Sequence, residues 1–143
     1  MTNSPLPQDI QDKLFKSATA AKDTAYVPYS KFRVGAALLT EDGTIFKGCN
    51  VENASYGGAI CAERTAYVKA VSEGHTKFKG LTVTTDQDDH VSPCGICRQF
   101  ISEFGPASLP VYLVNAKGET LALTLGDLLP YSFALEQGQK YLM

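Results

Sequence analysis
Apolar residues recur along the chain at two spacings. From residue 8 to residue 24, Ile10, Leu14, Ala18 and Ala21 stand three or four apart, the period of an amphipathic helix. Between 31 and 40 the period drops to two, and Phe32, Val34, Ala36 and Leu38 alternate as on one face of a strand. Glu41-Asp42-Gly43-Thr44 breaks that pattern with a turn, because Gly43 takes a positive φ at no steric cost, and Thr44 to Asn50 returns as the second arm of a hairpin. After a polar loop, Cys61 to Glu73 predicts a helix stopped by Gly74. The β-branched run Leu81-Thr82-Val83-Thr84-Thr85 predicts a strand, and residues 86–92 a polar loop. Pro93 presets the start of a helix from about Cys94 to Phe104, with Gly105 as its stop. Pro110 to Asn115 and Thr120 to Thr124 are strands joined by the turn Ala116-Lys117-Gly118-Glu119, and Thr124-x-x-Asp127 opens a short last helix ending near Pro130.

The resulting order, α-β-β-α-β-α-β-β-α, restricts the topology. The strand–helix–strand unit between 81 and 115 requires a parallel, right-handed crossover. The two tight turns require antiparallel pairs at the ends. A mixed five-stranded sheet with helices on both faces satisfies both demands. No repeat or linker divides the chain, so a single domain is expected over 1–143, with residues 1–7 flexible and no element assigned to the tail after about 134.

Composition narrows the class. The 143 residues suit one core, and 44% apolar with 20% charged residues are ordinary globular proportions. A formal net charge of −2 argues against a nucleic-acid polymer as partner, and no basic or aromatic stacking surface accompanies it. The longest apolar run, Val34 to Leu39, is far short of the ~20 residues that cross a bilayer. Met1 to Pro7 has neither the basic nor the apolar region of a secretory leader. A cytoplasmic location is therefore expected, and there four cysteines point to metal binding or catalysis before disulfides.

Cys94-Gly95-Ile96-Cys97 puts two thiols one helical turn apart at a predicted helix N-terminus, where the helix dipole favours thiolate. Cys61 opens another predicted helix, with Glu63 two residues on. Two such N-termini can meet at one zinc, giving three protein ligands and a fourth position for water, the arrangement of a catalytic site. Two other readings stay open on these residues. A redox dithiol uses Cys94 and Cys97 alone but leaves Cys61-Ala62-Glu63 without a purpose. A structural zinc module needs a fourth ligand, and the candidates Cys49, His75 and His90 have no paired spacing with Cys61.

Cys61-Ala62-Glu63 followed by Pro93-Cys94-Gly95-Ile96-Cys97 resembles the known signature of zinc nucleobase deaminases. With Phe32-Arg33-Val34-Gly35-Ala36-Ala37 and Asn50-Val51-Glu52-Asn53-Ala54-Ser55-Tyr56, the chain resembles the small homotetrameric cytidine deaminases over roughly residues 10–135. That resemblance implies a three-layer α/β/α sandwich, one zinc per subunit on Cys61, Cys94 and Cys97, and conversion of cytidine and deoxycytidine to uridine and deoxyuridine in pyrimidine salvage. It implies that Glu63 shuttles protons and that Arg64 hydrogen-bonds to the thiolates. It further implies that Asn50 and Glu52 hold the ribose 3′-hydroxyl, that Phe32 packs on the pyrimidine, and that backbone groups around Ala62 and Ser92 read the base edge. Ala54, Tyr56 and Phe133 would be lent by neighbouring subunits, so that the active sites are shared. A deaminase for a cytosine-bearing antibiotic is the alternative on the same fold, and the ribose stretch from Asn50 to Asn53 argues against it.

Overall fold
A computed structural model describes residues 5–134. The chain runs through α1 (Gln8–Ala21), a 3-10 turn (Lys22–Thr24), β1 (Val34–Thr40), β2 (Ile45–Cys49), a second 3-10 turn (Tyr56–Gly58), α2 (Ala62–Ser72), β3 (Phe78–Thr85), α3 (Gly95–Ser102), β4 (Pro110–Val114), β5 (Thr120–Thr124) and α4 (Leu125–Leu128). The strands form one sheet in the order β2-β1-β3-β4-β5. Only β3 and β4 pair in parallel, across the α3 crossover, and the other pairs are antiparallel. This is the mixed five-stranded sheet expected from the element order. Among the described residues no helix is long and apolar enough to cross a membrane.

The two faces of the sheet carry separate packing. Ala37 and Leu39 meet Leu14 and Ala18 of α1. Ala36, Leu38, Leu81, Val83, Val111 and Leu113 face the other way, onto Ala62, Ala66, Tyr67 and Ala70 of α2 and Cys97 and Ile101 of α3. The result is three layers, α/β/α. After Val34, β1 is buried at every position, because it lies between β2 and β3 with helices above and below. Its small residues make that possible. A Cβ on Gly35 would collide with the backbone of Ala18, and one on Gly48 would lie 2.5 Å from Ala62 O and from Ala66 N. Gly48 thus lets the first turn of α2 rest directly on β2.

Several boundaries differ from the periodicity. The first strand begins at Val34 and not near residue 31, because Lys31 takes a φ of 58° and turns the chain just before it. Phe32 therefore precedes the strand, and its alternation with Val34 is a coincidence of spacing. The third strand begins earlier, at Phe78, whose ring packs on Tyr67 at 4.8 Å between centroids. The helix expected to reach Phe104 ends at Ser102. Residues 5–7 are held in place: Leu6 N–H donates to the Tyr112 hydroxyl at 2.9 Å, and Leu6 packs beneath α1. Residues 1–4 and the tail from residue 135 lie outside the described residues.

Three segments near the site are tied by charge. Asp86, at the end of β3, accepts from Lys22 at 2.9 Å and from Arg33 Nε at 2.8 Å. The Arg33 hydrogen bond, with further help from Lys22, holds its carboxyl well below the usual range, at about 2. The end of α1, the start of β1 and the loop after β3 are joined at this one carboxylate.

The contact at Gly48 can be tested directly. Gly48→Ala should lower the free energy of unfolding by about 1–3 kcal/mol, measured by urea denaturation, because backbone atoms of α2 must shift to admit the methyl group. Unchanged stability would show that α2 has slack against the sheet.

Candidate metal centre and active site
Two helices begin with a cysteine. Cys61 is the N-cap of α2 and Cys94 the N-cap of α3. N-caps are usually Ser, Thr, Asp or Asn, whose oxygens accept from the first free N–H groups. Here neither side chain makes a capping bond, and the two sulfurs face each other at 3.8 Å. Cys97, one turn into α3 and fully buried, completes a triangle whose Sγ atoms all lie within 4.8 Å of one another. The parallel crossover explains the meeting. It places α3 beside α2 on the same face of the sheet, with both N-termini at the end where β3 leaves.

The donor set fits zinc. Tetrahedral thiolate coordination at ~2.3 Å separates sulfurs by roughly 3.8 Å, close to the spacing of Cys61 and Cys94. All four cysteines are free thiols. The other sequence candidates are elsewhere: Cys49 meets Thr24 Oγ1, His75 packs on Phe46, and His90 contacts Glu119 O. Among the described residues no fourth protein ligand closes the triangle, which leaves one position open, as catalysis requires.

The electrostatics follow from crowding. Arg64 donates through Nε to Cys97 Sγ and through Nη2 to Cys61 Sγ, each at 3.4 Å. Burial works against the Arg64 charge, but these two hydrogen bonds outweigh it and raise its pKa. Cys61 is pulled down to about 5, first by a hydrogen bond from the Cys97 thiol and then by Arg64 and Cys94. Cys97 moves upward because it donates to Cys61. Glu63 is only 4% exposed, and its carboxyl is pushed up to about 7, chiefly by burial. A carboxyl with that value can both accept and release a proton near neutral pH.

A cavity of about 160 Å³ opens above the cluster, bounded by Cys61, Ala62, Glu63 and Cys94 and walled by Val34, Asn50, Val83, Val91 and Ser92. It has room for one small ring. Val34, Val83 and Val91 were not foreseen as part of the site. Val34 and Val83 are ordinary strand residues, and only the register of β1 on β3 brings them together.

Of the remaining candidates only Asn50 borders this cavity; Phe32, Glu52, Ala54, Tyr56 and Phe133 do not. Phe32 is half-buried at the foot of β1, with its carbonyl accepting from Asn50 Nδ2 at 2.7 Å. Asn50 Oδ1 accepts from Val34 N–H at 2.9 Å, so the amide braces the backbone on both sides of Arg33. Glu52 accepts from Tyr29 N–H at 3.0 Å, from Ser30 N–H at 3.1 Å and from the Ser30 hydroxyl. The Ser30 hydroxyl, above all, keeps its carboxyl below the usual range. Ala54 is exposed, as are Tyr56 at 81% and Phe133 at 60%. On a single chain these three wall nothing.

Residues 8–113 match the family described as the cytidine and deoxycytidylate deaminase zinc-binding region. The chain is 55% identical to a cytidine deaminase of Sporosarcina psychrophila over 125 residues, covering 87% of this chain and 92% of that protein. It is 50% identical to a cytidine deaminase of Halalkalibacterium halodurans over 123 residues, covering 86% of this chain and 93% of the relative. The crystal structure of a cytidine deaminase from Burkholderia pseudomallei superimposes with a TM-score of 0.82 at 47% identity, covering 85% of this chain and 98% of the other.

Arg64 is the cation nearest the sulfurs, and its removal has a defined consequence. Arg64→Gln should weaken zinc binding ~10–100-fold, read by competition with a chromogenic chelator, with the far-ultraviolet circular dichroism unchanged. Arg64→Lys should recover only part of the loss, because a single ammonium cannot face two sulfurs as a planar fork does. Equal affinity in all three proteins would show that the thiolates need no such partner.

Proposed function
The chain belongs to the cytidine and deoxycytidylate deaminase zinc-binding family, and from that premise we propose that it hydrolyses the 4-amino group of cytidine and deoxycytidine. Water is consumed, ammonia leaves, and uridine or deoxyuridine is the other product. The observation that carries this reading is a buried carboxyl poised near pH 7 beside three clustered thiols, at the floor of a cavity sized for one ring.

Zinc held by Cys61, Cys94 and Cys97 supplies, when bound, a water ionisable near neutral pH for attack at C4. Glu63 would take a proton from the attacking water and pass it to ring N3, then take the proton of the new C4 hydroxyl and give it to the amine, which leaves as ammonia as the C4 carbonyl forms. Burial serves this by keeping bulk water from competing as base or acid. Arg64 holds positive charge against the thiolates through both cycles of protonation. Backbone groups at Ala62 and Ser92 meet the polar edge of the base, and Phe32, outside the cavity wall, packs on the ring where it projects from the cavity. Asn50 has one N–H and one acceptor lone pair left after its two backbone bonds, and Glu52 has lone-pair capacity beyond its three. Both remain able to bind the ribose 3′-hydroxyl, in a setting already made rigid.

The assembly belongs to the same reading. Tyr56, Phe133 and Ala54 lie on the surface of one chain. A homotetramer in which neighbours contribute these residues closes the site and excludes water. The enzyme acts on free nucleosides in pyrimidine salvage in the cytoplasm.

Three measurements test this. Glu63→Gln should keep one zinc per chain and lose ~10³–10⁴-fold or more in kcat, followed by the fall in cytidine absorbance. Substantial turnover by that variant would remove Glu63 from the proton path. Phe133→Ala should raise KM for cytidine while zinc stays bound, and sedimentation of the active protein should show a tetramer. A monomer turning over cytidine at the full rate would exclude shared sites.

A further inference from the structure
Arg98 follows the zinc ligand Cys97, yet its three hydrogen bonds go elsewhere. Nε donates to Pro93 O at 2.7 Å, Nη2 to Ser92 Oγ at 2.7 Å and Nη1 to Leu128 O at 2.6 Å. The first two acceptors belong to the segment that forms one wall of the cavity and leads into Cys94. The third is the last residue of α4, thirty positions away, where helix carbonyls lack partners of their own. The next residue of α3, Gln99, fastens the continuation of that segment by donating from Nε2 to Phe133 O at 3.1 Å.

We propose that Arg98 is a positioning residue for substrate binding: its guanidinium fixes Ser92 and Pro93, in the segment whose Val91 and Ser92 wall the cavity, and ties it to the Leu128–Phe133 segment. This rests on the deaminase reading above. The planar fork is what suits arginine to the task, since it presents donors in three fixed directions and cannot lose its charge. A shift of the wall moves the groups at Ser92 that meet the base, while the sulfurs stay anchored by α2 and α3 themselves. The effect therefore falls on binding of the nucleoside more than on the chemical step. A guanidinium that merely capped α4 would change stability and leave KM alone.

The holoenzyme, Arg98→Met, Arg98→Lys, Ser92→Ala and the Arg98→Met/Ser92→Ala double variant should be compared for zinc per chain, for kcat and KM with cytidine, and for Tm. Arg98→Met should keep one zinc per chain and raise KM about 10- to 100-fold, with kcat within about threefold. Arg98→Lys should fall between the parent and Arg98→Met. Ser92→Ala should raise KM about threefold or more and add little in the Arg98→Met background, because both changes cut the same link. Lower Tm with unchanged KM, or KM effects of Ser92→Ala and Arg98→Met that multiply, would overturn the proposal. If Arg98→Met does not fold, Arg98→Lys and Ser92→Ala decide, and unchanged KM in both would overturn it. A parent protein that holds zinc and leaves cytidine intact would overturn the proposed function itself, a different result from an active parent with indifferent variants.

Discussion
Three thiols and a carboxyl crowd into one partly buried corner, and the fold is organised around making that corner tolerable. Like charges at these distances repel strongly, and burial removes the water that would screen them. Two helix N-termini aimed at the same point offset part of this, since each carries partial positive charge. Arg64 contributes a full charge, shared between Cys61 and Cys97. The carboxyl that remains, Glu63, is pushed up to about 7, chiefly by burial.

The convergence depends on features far from the sulfurs. The parallel pairing of β3 with β4 sends α3 back across the sheet beside α2. Gly48 lets α2 sit directly on β2, which sets the height of Cys61 and Glu63 above the sheet. On the other side of the cavity, Asn50 and Asp86 pin the start of β1 and the loop after β3. The metal cluster is held by helices, while the walls above it are held by side-chain hydrogen bonds to backbone. Within a single chain the cluster is compact, while Tyr56 and Phe133 stand exposed.

What could be read from the sequence divides along the same line. Cys61, Glu63, Cys94 and Cys97 were legible because each lies within one turn of a helix start, where spacing alone fixes direction. The sheet was legible because its turns and its crossover leave few topologies. The start of β1 was not, since Phe32 keeps the alternating spacing although Lys31 has already turned the chain. Nor were the present partners of Asn50 and Glu52, which lie 16 to 23 residues away and exist only once the segment 29–34 folds back on them. Arg98 read as one more residue of a helix, because its partner at Leu128 is a backbone carbonyl that no side-chain pattern marks. The roles of Phe32, Ala54, Tyr56 and Phe133 came from resemblance, and a single chain shows only that most of them are exposed.

If one metal ion held by three thiolates is inseparable from turnover, activity must follow the metal as it is restored. Zinc would be stripped under reducing conditions and returned in measured steps, with cytidine deamination assayed at each. The expected result is no activity at the start, a linear rise, and a plateau at one zinc per chain. Full activity in the stripped protein, or a plateau reached far from one zinc per chain, would contradict it.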